Sequence, residues 1–201
     1  MIIIGPQGCG KGTQAKRLSK NFNIPHISTG DIFREIRKED TLRGRKVKEL
    51  IDNGMNVPDK ITIPLVKEKL SKLKEGYILD GFPRNIEQSK SLEGIDKVIY
   101  LKISDKEVVR RIEGRRNCKK CGAIFNITTA PKPKIEGICN KCGSELFQRD
   151  DDKPGQIKKR LKQYHNLTAP LIEFYKDILI EIDGSRDIGE VYSEIISKLS
   201  L

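Results

Sequence analysis

The chain opens on a short apolar run, Met1 to Ile4, that feeds directly into Gly5, Pro6, Gln7, Gly8, Cys9, Gly10, Lys11, Gly12 and Thr13. An apolar strand, a glycine-rich turn, a lysine and then a helical stretch over 13–22 is the layout of a phosphate-binding loop. The chemistry asks for those residue types. Glycines let backbone N–H groups approach phosphate oxygens. The following helix aims its unpaired N–H groups and the positive end of its dipole at the same anion. Lys11 adds a mobile positive charge for the outer phosphates. A glycine turn without a ligand would not require this spacing. One departure stands out. The usual pattern has Ser or Thr straight after the lysine, whereas here Gly12 follows it and Thr13 comes one place later. That order does not supply the usual hydroxyl ligand for magnesium at its expected place.

Apolar runs and helical periodicity alternate along the rest of the chain. Strands are expected at 24–27, 77–79, 98–103 and 179–182, in addition to the first. Helices are expected at 32–37 and 41–53, from Pro58, from Ser104, from Pro154 with a bend at Pro170, and from Asp187. Ser104 and Glu107 have the spacing of a capping box. This alternation predicts an α/β fold: a five-stranded parallel sheet with helices on both faces. Ligands in such sheets bind at the carboxyl ends of the strands. The phosphate loop, the 28–31 segment and the 80–84 segment all fall at such ends.

The stretch 118–147 changes character. It carries Cys118-x-x-Cys121 and Cys139-x-x-Cys142, with 17 residues between the pairs and no helical period. Gly122 and Gly143 follow the pairs as tight turns require. This is the spacing of a four-cysteine zinc site; two disulfides or free thiols are the alternatives, and a reducing compartment disfavours disulfides. Four thiolates leave no open position, so the metal would be structural and would fold an insert too small for its own core. The fifth cysteine, Cys9, reads as a small space-filler inside the phosphate loop.

The chain has 201 residues, room for one sizeable core and a small insert. Charged residues make up 33% and mean hydropathy is −0.51. No apolar run approaches the roughly 20 residues needed to span a bilayer, and no secretory signal is visible, so the cytoplasm is the expected location and no membrane partner is expected. The net charge of +11 fits either a nucleic-acid partner or a lysine-rich surface with arginines gathered around a small polyanion. Basic runs stay short, which favours the second.

With the loop, the arginines and the insert in view, the chain resembles the adenylate kinases nearly end to end. Gly5 to Ala15 is similar to that family's own phosphate loop, including the Lys-Gly-Thr order. His26 to Asp31 with Arg34 resembles its monophosphate-site motif. Asp80 to Arg84 with Gln88 resembles its most specific signature. Arg111, Arg115 and Arg116, the 148–152 segment, Arg160 and the 164–170 segment complete the likeness. The cysteine insert is similar to the zinc-bearing lid of the long-lid subgroup. The connections between Leu70 and Tyr77 and between Leu92 and Val98 are shorter than that family usually has.

The resemblance implies a P-loop core over 1–27, 58–116 and 154–201, an AMP-binding flap over 28–57 and a zinc-binding lid over 117–153. It implies transfer of a phosphoryl group from ATP to AMP, giving two ADP, by a monomer with Mg2+ accompanying ATP. Lys11, Arg84, Arg115, Arg149 and Arg160 would be catalytic. ATP would meet Gly8, Cys9, Gly10, Lys11, Gly12, Thr13, Arg111, Arg115 and Arg186, with Ile124 and Phe125 of the lid nearby. AMP would meet Thr29, Arg34, Met55, Asn56, Val57, Gly81, Phe82, Pro83, Arg84, Gln88, Arg149 and Arg160. Asp80 would hold magnesium through water, or would merely cap the next turn. No general base stands out, and His26 and His165 read as packing or surface residues. A kinase for UMP or CMP, and a basic zinc-ribbon protein that grips nucleic acid, are the alternative functions.

Overall fold

The structure, a computed structural model, describes residues 1–73 and 76–200. Strand β1 (Ile2–Ile4) leads through the glycine loop into helix α1 (Lys11–Phe22). Then come β2 (His26–Ser28), α2 (Thr29–Ile36), α3 (Leu42–Asp52) and α4 (Asp59–Leu70). They are followed by β3 (Ile78–Asp80), α5 (Ile86–Lys90), β4 (Val98–Lys102) and α6 (Asp105–Glu113). The insert contributes β5 (Arg115–Cys118), β6 (Ile124–Asn126) and β7 (Leu146–Phe147). The chain ends with α7 (Pro154–Gln163), a π-helical turn (Tyr164–Thr168), α8 (Leu171–Phe174), β8 (Leu179–Asp183) and α9 (Ile188–Leu199).

Five strands form one parallel sheet in the order β2-β3-β1-β4-β8. The run of three isoleucines in β1 is explained by its central place. Side chains alternate along a strand, so a strand covered on both faces must be apolar throughout. Ile3 faces Ala15 and Leu18 of α1 and Val191 and Ile195 of α9. Ile2 and Ile4 face Val66 of α4, Phe82, and Leu171 and Tyr175. The connection between Leu70 and Tyr77, expected to be short, lies partly outside the described residues.

Two smaller units carry cores of their own. Phe33, Ile36, Val47 and Val57 cluster where α2 and α3 meet. The insert is a three-stranded antiparallel sheet, β6-β5-β7, with Cys118, Phe125 and Cys139 inside.

The elements expected from sequence are present, with several boundaries moved for local reasons. Helix α1 begins at Lys11, two residues early, because Gly10 serves as its N-cap in a left-handed conformation (φ 103°). The 28–31 segment is divided between a strand and a helix. Ser28 ends β2 and caps α2, its side chain accepting from the Asp31 N–H. Strand β2 starts after Pro25, which lacks an N–H for the ladder. At Ser104 only half of a capping box forms. Ser104 accepts from the Glu107 N–H, while the Glu107 carboxylate turns to Arg110 and Arg111. A complete box instead opens α9, between Asp187 and Glu190. Helices α5 and α8, each a turn or so long, were too short to leave a periodic signal.

Leu18 is fully buried between α9 and the sheet. Leu18→Ala is expected to cost about 2–5 kcal/mol of unfolding free energy, read from denaturant melts.

Candidate active site

The glycine loop closes over the carboxyl end of β1. The first turn of α1 has no side-chain cap. Its exposed N–H groups are therefore left for an anion. Lys11 lies in that turn, its ammonium donating to Gly5 O (2.7 Å) and Pro6 O (2.8 Å). Gly8 takes a positive φ of 78°, and a side chain there would strike Ile112 at 2.9 Å. The departure at Gly12 has a structural reason. A Cβ at Gly12 would stand 3.2 Å from the Asp80 carboxylate, so glycine leaves room for that acid beside the loop. Asp80 also lies 3.7 Å from the half-buried His26 ring. Cys9 is buried in the core beneath, as a space-filler should be. His165 is at the surface, paired with Asp105 at 2.9 Å.

Five arginines converge on the cleft between the core, the α2–α3 unit and the insert. Arg34, Arg84 and Arg160 line one pocket together with Asp151. Arg115, at the base of the insert, grips Asp152 with two hydrogen bonds, one of them Nε to Oδ2 at 2.8 Å. Arg160 donates to Asp151 (2.8 Å) and lies 3.7 Å from Asp152. Asp152 is completely buried, so its charge is held by these guanidiniums. Arg149 forms no ion pair among the described residues. Burial, and then the charges of Arg115 and Arg34, push its pKa down to about 9. Arg84 is pushed down to about 10 by burial and by Arg160. Burial also opposes the charge on Arg115, but Asp152 overrides it and the net shift is upward. Arg34 pairs with Asp31, and Asp80 acts on Arg84, so five guanidiniums face four carboxylates and the cleft keeps an excess of positive charge, which suits an anion.

The pocket itself is lined by Gly30, Arg34, Met55, Asn56, Val57 and Gln88, among others. Arg84 reaches it from the turn after β3. Its Nε donates to Gly81 O (2.9 Å) and its Nη1 to Asn56 Oδ1 (2.7 Å). Thr29 donates to Gly81 O (2.8 Å), and Thr168 donates to Arg84 O (2.8 Å). Phe82 is buried in the core below, and the Phe82–Pro83 peptide bond is cis. The α2–α3 unit is fastened across the cleft to α7. Gln163 donates to Gly54 O (2.7 Å) and accepts from the Asn56 N–H (3.0 Å), and Gln156 donates to Asp52 O (3.1 Å).

On the far side of the phosphate loop, Arg111 donates to Gly184 O and Ser185 O, both at 2.8 Å, and pairs with Glu107. Arg186 belongs to the same turn and pairs with Glu194. The two lid residues expected here differ. Phe125 is buried inside the lid core, and Ile124 is exposed.

The four cysteines of the insert come together, their sulfurs all within 4.8 Å of one another. Cys118 and Cys142 sulfurs are 3.4 Å apart, and those of Cys121 and Cys139 are 3.6 Å apart. A tetrahedron of zinc–sulfur bonds about 2.3 Å long has edges of about 3.8 Å, so the donor set and spacing fit zinc. Knuckle N–H groups of Cys121 and Lys141 point at Cys118 and Cys139 sulfur, both at 3.4 Å. The first of these is the main reason the Cys118 thiol is pulled down to about 6.

Sequence reading located the cationic groups. It gave no role to Asp151, Asp152, Gln156 or Gln163. The acidic run at 150–152 beside Arg149 was a usable signal. The glutamines gave none, because only the fold brings α7 to the α2–α3 unit.

A phosphate loop at the head of a parallel sheet, facing a second pocket across a ring of arginines, defines a phosphotransferase of the nucleoside monophosphate kinase class. The family model described as adenylate kinase matches residues 3–180. The adenylate kinase of Caldicellulosiruptor bescii is 46% identical over 213 residues, covering 100% of this chain and 99% of its own. Those of Caldicellulosiruptor saccharolyticus (47%; 100% and 99%) and Archaeoglobus fulgidus (46%; 97% and 95%) are similarly related. The chain belongs to the adenylate kinase family.

The lowered pKa of Arg149 carries a sign for stability. The fold penalises its charged form, so it destabilises the empty protein at neutral pH, and that cost fades as pH rises above about 9 toward its ordinary value of 12.5. Arg149→Gln is expected to stabilise the empty protein by roughly 1–2 kcal/mol at pH 7. The gain should shrink above pH 9, as measured by denaturant melts across pH.

Proposed function

We propose that this chain catalyses ATP + AMP to two ADP, with ATP on the phosphate loop and AMP in the arginine-lined pocket. The observation that carries the reading is the gathering of Arg34, Arg84, Arg115, Arg149 and Arg160 on one cleft, joined to the glycine loop at Asp80. Phosphoryl transfer asks for in-line placement of two nucleotides and for positive charge around the migrating group. Guanidiniums suit this because they stay charged and grip phosphate in pairs of hydrogen bonds.

On this reading Lys11 leaves the loop carbonyls for the β- and γ-phosphates of ATP, and the loop's N–H groups from Gly8 to Thr13 surround the same oxygens. Arg34 and Arg84 hold the AMP phosphate. Arg115, Arg149 and Arg160 close on the transferring group. Gln88 and Thr29 read the AMP base beside Met55, Asn56 and Val57. The ATP base lies by Arg111 and the Arg186 turn, with Ile124 as the exposed lid contact. No residue is assigned as general base, since preorganised charge carries the step.

Magnesium, bound with ATP, would neutralise phosphate charge, and Asp80 is the carboxylate suited to its waters. Zinc on Cys118, Cys121, Cys139 and Cys142 would act as a structural staple only. Residues 28–57 and 117–153 are proposed to move as flap and lid, closing to exclude water so that phosphate goes to AMP and not to hydrolysis. A cytoplasmic monomer is part of the proposal, and reduced thiols on zinc suit a reducing compartment.

ADP formation measured from ATP with AMP, UMP, CMP and GMP tests the reading, and AMP should be the preferred acceptor. Arg84→Ala should lower turnover by about 100-fold or more with little change in melting. Stripping zinc with a chelator should melt the insert at lower temperature than the core, seen as a separate early transition. An unchanged melting profile would remove the structural role of the metal.

A further inference from the structure

Gln88 is 3% exposed and lines the AMP pocket, yet both ends of its amide already have a protein partner. Its Nε2 donates to Asp59 Oδ1 at 2.6 Å, and its Oε1 accepts from the Arg84 backbone N–H at 2.7 Å. Asp59 begins α4 and is half-buried. Its other oxygen, Oδ2, accepts from Asn85 Nδ2 at 2.8 Å. Asn85 is itself fixed, because its Oδ1 accepts from the Gln88 N–H at 2.8 Å as the N-cap of α5.

We propose that Asp59 is a specificity-determining residue: it locks the orientation of the Gln88 amide so that the pocket accepts a 6-amino purine and rejects a 6-oxo purine. The proposal rests on the reading above that Gln88 meets the acceptor base. A carboxylate can only accept and a backbone N–H can only donate. The amide nitrogen must therefore face Asp59 and the amide oxygen must face Arg84. One N–H and one lone pair of Gln88 remain for the base, in fixed places. Adenine offers an amino donor at C6 and an acceptor at N1, which match an amide oxygen and nitrogen in that order. Hypoxanthine and guanine offer an acceptor at C6 and a donor at N1. Matching them requires the amide to turn over, which sets Oε1 against the Asp59 carboxylate and Nε2 against the Arg84 N–H. A site that leaves buried polar groups mispaired discriminates strongly.

Asp59→Asn distinguishes this lock from a helix-capping role. The neutral side chain has one accepting oxygen where the carboxylate had two. Asn85, held by its capping bond, claims that oxygen, and the new amide nitrogen faces Gln88 and favours the turned-over form. The measurement is kcat/KM for AMP and for IMP, which differ in the C6 group and the N1 proton. In Asp59→Asn the AMP-to-IMP ratio should fall by about tenfold or more, through a higher KM for AMP and a lower KM for IMP, with kcat for AMP within about threefold. Gln88→Ala should erase most of the preference. Asp59→Ala, which removes the acceptor without adding a donor, should also lower the ratio, and it serves if the Asn variant does not fold. An acid that only favours the α4 N-terminus would lower the melting temperature and leave the ratio intact, and that outcome overturns the proposal. A preference unchanged in Gln88→Ala overturns it too. A wild-type protein that fails to phosphorylate AMP would sink the underlying reading, whereas an AMP-selective wild type with an equally selective Asp59→Asn sinks the lock alone.

Discussion

Like charges crowded into one half-buried cleft are the central constraint of this molecule. Arg34, Arg84, Arg115, Arg149 and Arg160 feel one another across a single cleft, and burial already strains the charge on Arg84 and Arg149. Such a cluster persists only because the rest of the fold holds it. Asp31, Asp151 and Asp152 offset part of the charge, and Asp152 has no exposure at all. The remainder is left for a polyanion. The site is therefore destabilised when empty and complementary when occupied, which is the condition for binding energy to be spent on a migrating phosphoryl group.

The fold supplies the frame for that constraint in a simple way. A strand buried on both faces fixes the phosphate loop in place. The register of β2 and β3 with β1 puts Ser28 opposite Asp80, beside the glycine loop. Glycine at position 12 then makes sense, since a larger residue would crowd the acid. The α2–α3 cluster packs on one side against Ile61 and Leu65 of α4, whereas its contacts across the cleft, such as Gln163 to Gly54, and the insert's contact through Arg115 to Asp152 are polar. Contacts made by hydrogen bonds and ion pairs across a cleft cost far less to break and remake than a shared hydrophobic core.

The proposed recognition of the acceptor base follows the same economy. Gln88 is held by Asp59 and by the Arg84 N–H. In the proposed reading one short turn would serve both the phosphate and the base, since Arg84 carries the guanidinium and its backbone N–H orients the Gln88 amide. A single segment, 80–88, links the phosphate loop to the second pocket.

The sequence by itself determined the chemistry-bearing parts. The phosphate loop, the paired cysteines, the alternation of strands and helices and the cationic residues were all legible, because each depends on local spacing or on periodicity over a few turns. Boundaries slipped where a cap decided them, as at Gly10 and Ser28, and the short helices α5 and α8 left too little pattern to see. Only the tertiary structure decided which groups act together. Asp59 and Gln88 are 29 residues apart, Asn56 and Gln163 are 107 apart, and Arg115 and Asp152 are 37 apart. No local pattern encodes such pairings. They exist because a parallel sheet brings the ends of its strands together, and because the buried polar groups left there must each find a partner.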